Sequence, residues 1–146
     1  MKELYLRDAT ENDVDLLYQW VNDPVTRQSA FSTGEITYET HKKWFKGVLE
    51  KSDVKQLICM CDDIPVGQIR ANFYGDVAEL DYSIGPEYRK AGYGSELIKL
   101  GVEYIKRNFS EIKAIVAKVK KENIGSQKVL ANNGFTERVI QYVLDV

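Results

Sequence analysis

Residues Arg89 to Gly94 read RKAGYG: two cations, then glycines at positions 92 and 94. Apolar residues at helical spacing follow directly, with Leu97, Ile98, Gly101, Val102 and Ile105 on one stripe. The first-turn amides of a helix have no partner inside the helix and lie at the positive end of its dipole. Glycines there remove the Cβ atoms that would hold a ligand away, and Arg89 and Lys90 add formal charge. Such a corner suits an anion, and a diphosphate fits it. It is not a Walker A loop, because no Gly-Lys-Ser/Thr follows. It is not the dinucleotide fingerprint, because Leu97 stands where the third glycine would be. Just upstream, VAELDYSI carries Glu79 and Asp81 two residues apart, so on a strand both carboxylates face the same side. A pair of that kind can take up a proton, or can simply be the solvated edge of a half-exposed strand.

These residues need elements to position them. Leu4 to Arg7 is short and strand-like. Thr10 and Asp13 resemble a helix start, and Val14, Leu17, Tyr18 and Val21 continue it until Asn22-Asp23-Pro24 stops it. VTRQSAFSTGEI has no period, and Tyr38, His41, Phe45 and Val48 or Leu49 mark a second helix. VKQLICMC and IPVGQIRANFY read as a hairpin, and VAELDYSI as the next strand. A helix is predicted over about 92–108, then a strand in IKAIVAKV, a short helix ending at Asn133-Gly134, and a last strand in FTERVIQYVLDV. The order is β-α-α-β-β-β-α-β-α-β. It predicts a single α/β domain over residues 1–146, with a mixed, mostly antiparallel central sheet and helices on both faces.

Composition narrows the function classes. The chain has 146 residues, 44% hydrophobic and 29% charged, with a net charge of −2. That suits one domain with its own core and provides no general field for nucleic acid or an anionic membrane. Lys118, Lys120 and Lys121 cluster, and read as a solvated strand end. Cys59 and Cys61 lie on one face of one strand, where a disulfide is not expected, and no further cysteine or histidine cluster completes a metal site. No signal pattern or membrane-length apolar run is present, so a cytoplasmic location is expected.

RKAGYG is similar to the Gln/Arg-x-x-Gly-x-Gly signature of the GNAT superfamily of N-acetyltransferases. Downstream, Asn123-Ile-Gly-Ser126, Leu130 and Asn133-Gly134-Phe135 resemble that family's Asn-x-x-Ser/Ala segment ending in Gly-Phe. The element order agrees over essentially the whole chain. The resemblance implies acetyl-coenzyme A as cofactor, with Arg89, Lys90, Ala91, Gly92, Tyr93, Gly94 and Ser95 around its pyrophosphate. It implies that the strand at Tyr82, Ser83 and Ile84 pairs with the pantetheine arm. Asn123 and Ser126 would reach the cofactor from the next helix, and Lys128 its 3′-phosphate. A glutamate on the strand before the glycine loop often serves as base in this family. Glu79 falls close to that position, with Asp81 second. An alkylammonium titrates at about 10, so a base or water relay is needed at neutral pH. The tyrosine that many members use to protonate the leaving thiolate is replaced here by Leu130. Tyr82 or Tyr142 could substitute, and nothing in the sequence selects one.

Trp20, Asn22, Arg27, His41 and Trp44 resemble, more loosely, a pattern of family members acting on nucleotide-linked amino sugars, as in the pseudaminic acid pathway. Asn22 would bond hydroxyls, Arg27 would fork onto a phosphate, and the indoles would offer flat faces. The expected partner is a small-molecule amine, with a UDP-amino sugar as the leading acceptor. Acetylation of a protein N-terminus, such as a ribosomal protein's, or of a small amine is the alternative. A non-catalytic acyl-coenzyme A-binding module is a further one. A monomer and a homodimer pairing through the last strand are both compatible with the chain.

Overall fold

The computed structural model describes residues 3–139 and 142–146. Among them, five strands form one sheet in the order β1-β2-β3-β4-β5. The strands are β1 (Leu4–Asp8), β2 (Val54–Cys61), β3 (Ile64–Tyr74), β4 (Val77–Ile84) and β5 (Ala114–Ala117). The first four are antiparallel neighbours, and β4 and β5 run parallel. A parallel pair needs a crossover, which here contains helix α4 (Tyr93–Asn108).

Helices cover both faces. Helix α1 (Val14–Val21) and α3 (Tyr38–Glu50) bury Leu17, Trp20, Phe45 and Val48 against Ile58 and Met60 of β2. Helix α4 and Leu130 of α5 (Ile124–Asn132) cover the other face, where Cys59, Ile69, Leu80, Leu97, Ile98 and Ile105 form the main core. Gly101 lets α4 approach closely, since a Cβ there would lie 2.4 Å from Ile69 Cδ1. Cys59 and Cys61 are free and buried, and burial pushes the Cys59 thiol up to about 12. No helix among the described residues is long and apolar enough to cross a membrane.

The expected start of α1 is realised as a capping box. Thr10 and Asp13 bond reciprocally across a 3-10 turn, and Arg7 of β1 donates to both Asp13 carboxylate oxygens at 2.8 Å. The αL cap at Gly134 is present, with φ 86°. Two expectations are corrected. Asn22-Asp23-Pro24 ends α1 but also opens a further helix, α2 (Pro24–Ser29): Asp23 accepts from the Thr26 amide and Pro24 occupies the first turn. The last strand expected in FTERVIQYVLDV is absent from described residues 136–139 and 142–146, while Ile140 and Gln141 lie outside the described residues. Phe135 packs on the core, but Val139, Tyr142, Val143 and Leu144 are exposed. Alternating apolar residues favour a strand only where a ladder partner is present, and none pairs with them.

Candidate active site

The site is built where β4 and β5 part. Their ladder begins at Val77↔Ala114 and ends at Leu80↔Ala117. β4 continues to Ile84, paired only with β3. From Asp81 to Ile84 the β5-side edge of β4 is therefore without a strand partner among the described residues. Its peptide groups are open to an extended ligand, because each backbone N–H and C=O needs a partner or water. Gly67 permits the tight β3–β4 approach behind this edge: a Cβ there would sit 2.8 Å from the Ser83 carbonyl oxygen.

The basic corner closes the same end. Pro86–Tyr88 form a 3-10 turn, Lys90 and Gly92 adopt positive φ of 67° and 82°, and α4 starts at Tyr93. Gly92 caps the helix without a side-chain bond, so no capping side chain stands over the start of α4, where an anion is favoured. Helix α5 lies alongside. Asn123 caps it by accepting from the Ser126 amide, the Ser126 hydroxyl bonds the Tyr82 hydroxyl, and Asn133 donates to Ser95 Oγ and to the Ser95 carbonyl, each at 3.2 Å. Burial, first, raises the Tyr82 phenol, against the opposing bond from Ser126. Lys128 is exposed on α5. Leu130 is buried in the core.

Arg89 points elsewhere than to the glycine loop. Its Nη2 donates to the Asp23 carboxylate and, at 3.1 Å, to the Thr26 hydroxyl. Lys120, beyond β5, donates to the Gln28 carbonyl at 2.8 Å. Cations from the two margins of the cleft thus hold α2 by both ends.

Glu79, Asp81 and Ser83 share the face of β4 opposite α4. In register beside them on β3 stand Asn72, Arg70 and Gln68. Gln68 donates to Ser83 Oγ at 3.2 Å and accepts from Gln56 at 2.8 Å. Each carboxylate has one cation: Arg70 lies 3.5 Å from Asp81, and Lys118 lies 3.5 Å from Glu79. Glu79 is the more sheltered, 22% exposed against 55% for Asp81. Arg70 also lies over the Trp44 ring at 5.0 Å, and Trp44 is exposed. A carboxylate that is half-sheltered and bordered by an exposed aromatic face can accept a proton from an amine brought to that face.

Four of the five residues expected at the acceptor bond to or pack against the protein itself. Asn22 makes a two-way pair with the Ile36 backbone, donating at 2.7 Å and accepting at 2.9 Å. Arg27 donates to the Val21, Ser32 and Gly34 carbonyls and so pins the loop after α2. His41 is buried, with Nε2 3.0 Å from the Val14 carbonyl oxygen, and burial holds its pKa below the usual value. Trp20 is buried against Gly85, where a Cβ would lie 2.9 Å from the indole nitrogen. Only Trp44 of that set reaches the open face. Arg70 is passed over in the sequence reading and Lys118 is taken there for a solvated strand end, yet both border the two carboxylates. The alternation of Gln68, Arg70 and Asn72 signalled a polar strand face, but only the register puts that face beside Glu79 and Asp81.

The family model for the acetyltransferase (GNAT) domain matches residues 3–136. No curated protein sequence matches the chain. Solved structures share its fold. Aminoglycoside acetyltransferase AAC(6')-Ib in complex with coenzyme A is 20% identical, with a TM-score of 0.81 over 93% of this chain and 86% of that one. A domain from Methanocaldococcus jannaschii DSM 2661 is 20% identical, with a TM-score of 0.83 over 94% and 91%. RimL, a ribosomal alpha-N-protein acetyltransferase in complex with coenzyme A, is 24% identical, with a TM-score of 0.77 over 91% and 80%.

Proposed function

The chain belongs to the acetyltransferase (GNAT) domain family, and from that premise we propose that it transfers acetyl from acetyl-coenzyme A to a primary amine presented over the open face of β4. The observation that carries this reading is the parting of β4 from β5 after Leu80↔Ala117, next to the α4 N-terminus without a side-chain cap. Bound there, acetyl-coenzyme A supplies an acetyl group activated as a thioester. The amides of Gly92, Tyr93, Gly94 and Ser95 hold its diphosphate, with Lys90 adding charge and Ala91 leaving the loop uncrowded. Tyr82, Ser83 and Ile84 offer their free backbone edge to the pantetheine arm. Asn123 and Ser126 position that arm from α5, and Lys128, exposed on α5, is available to the 3′-phosphate. Arg89 acts from outside the loop, through α2.

Glu79 takes the proton that makes the acceptor amine nucleophilic. Asp81, more exposed and paired with Arg70, orients the acceptor. A thiol such as that of coenzyme A titrates at about 8.5, so the sulfur leaves without a dedicated acid. That accommodates leucine at position 130. The acceptor we favour is a nucleotide-linked amino sugar, whose flat and anionic parts suit Trp44 and Arg70. Asn22, Arg27, His41 and Trp20 would then shape the wall behind it instead of touching it. A protein N-terminus is the second reading, favoured by the exposure of Val116 and Asp81 on neighbouring strands.

Thiol release from acetyl-coenzyme A is the test, with a UDP-amino sugar and an N-terminal peptide as separate acceptors. Release that depends on the sugar supports the first reading, and release only with the peptide replaces it by the second. Cofactor binding with no release for any amine favours a binding module.

A further inference from the structure

We propose that Lys118 is itself an acetyl acceptor, so that the domain modifies its own active-site margin. This rests on the reading of Glu79 as base and of the β4–β5 cleft as the thioester site. Lys118 follows β5 directly, at the point where β5 leaves β4. Its Nζ lies 3.5 Å from Glu79 Oε1, and its side chain is 72% exposed. It is therefore an amine already seated on the base, on a stem long and free enough to swing. Lys55, the other lysine paired with a carboxylate among the described residues, sits on Asp8, which belongs to β1 at the opposite edge of the sheet.

The step balances without a further reactant. Glu79 accepts one proton from the Lys118 ammonium. Nζ then bonds to the acetyl carbonyl carbon, and the carbon–sulfur bond breaks with its electron pair on sulfur. The second nitrogen proton goes to the thiolate. A neutral amide, a thiol and a protonated Glu79 result. Holding amine, base and thioester together supplies the rate advantage that a freely diffusing lysine lacks. Once acetylated, Lys118 carries no charge and ceases to compete with an incoming ammonium for Glu79. The uncharged amide thereby opens the site to the acceptor.

The full chain is incubated with acetyl-coenzyme A and no acceptor, and acetylation at each lysine is followed by peptide mass spectrometry. Lys42 and Lys43, exposed on α3, report the uncatalysed background. Lys118 is expected to label about tenfold or more faster than they do, at a rate independent of protein concentration, and to lose that advantage in Glu79→Gln. Lys118→Arg keeps the ion pair and is expected to show no label at 118. Should Glu79→Gln fail to fold, the excess over Lys42 and Lys43 in the unaltered chain, together with its independence of protein concentration, decides. Labelling of Lys118 at the Lys42 rate, with acetyl-coenzyme A binding seen by calorimetry, overturns the inference and leaves the cofactor reading standing. Absence of binding overturns both.

Discussion

Arg89 of the basic corner is bonded to Asp23, the residue that caps α2. The contact spans 66 residues of sequence. One carboxylate thereby starts a helix and anchors the loop before α4. Burial pushes the Asp23 carboxyl up, but the bonds from Arg89 and the Thr26 amide and hydroxyl outweigh it, so the group lies below its usual range. The contact ties the loop before α4 to α2.

Arg89→Ala should therefore destabilise the fold as well as the loop. It leaves Asp23 sheltered and without its cation, at a cost of about 1–3 kcal/mol. Urea unfolding measures the loss, and hydrogen exchange of residues 24–29 should rise with it. A variant that weakens coenzyme A binding but leaves α2 protection intact would show that the pair does not hold the helix.

Glu79→Gln should lower the turnover of any accepted amine by about a hundred- to ten-thousandfold at neutral pH. Asp81→Asn, on the more exposed carboxylate, should act mainly on KM. Thiol release at saturating acetyl-coenzyme A separates the two. Equal losses in kcat for both would assign proton transfer to the pair and not to Glu79.

His41 makes stability depend on mild acid. Burial, only partly opposed by the bond to the Val14 carbonyl, holds its folded pKa below 6.5. Between the folded and unfolded values the unfolded chain binds more protons, so stability rises with pH there. The contribution is complete above about 6.5 and is lost as pH falls towards the folded value. The urea midpoint should fall between pH 7.5 and 5.5, and His41→Gln should flatten that slope. An unchanged slope would exclude His41 as its source. Asp23 adds a second loss at lower pH, below the ordinary carboxylate value of 3.8, as its own folded value is reached.

Gly67→Ala tests the strand geometry behind the cleft. The added methyl meets the Ser83 carbonyl at 2.8 Å and Ile84 Cδ1 at 3.0 Å, and a backbone oxygen cannot rotate away. A loss of about 1–3 kcal/mol is expected, with weakened coenzyme A binding because Ser83 and Ile84 must shift. Calorimetry and thermal unfolding report the two effects. Full stability with unaltered binding would show that β3 and β4 have room to separate.

Local pattern and tertiary pairing contribute differently to the open edge of β4 and the start of α4. Period and punctuation act within a few residues, so the sequence by itself determined the capping box at Thr10 and Asp13, the α4 stripe, the crossover and the Gly134 cap. The glycine corner and the Glu79–Asp81 pair belong to the same class, because neighbours in sequence share a turn or a strand face. Which groups those residues meet is another matter. Asn22 reaches Ile36, Tyr82 reaches Ser126 and Arg89 reaches Asp23 across 14, 44 and 66 residues. Those pairings depend on strand register and on how helices settle against the sheet. A polar side chain that could contact a sugar hydroxyl or a phosphate can equally satisfy a buried carbonyl, and burial imposes that choice. The final strand is absent among the described residues for a related reason: its pattern is present, but a strand exists only with a partner edge. Only the tertiary structure decided that Arg70 and Lys118 border the carboxylates, that α2 exists, and that Asn22, Arg27 and His41 meet backbone carbonyls.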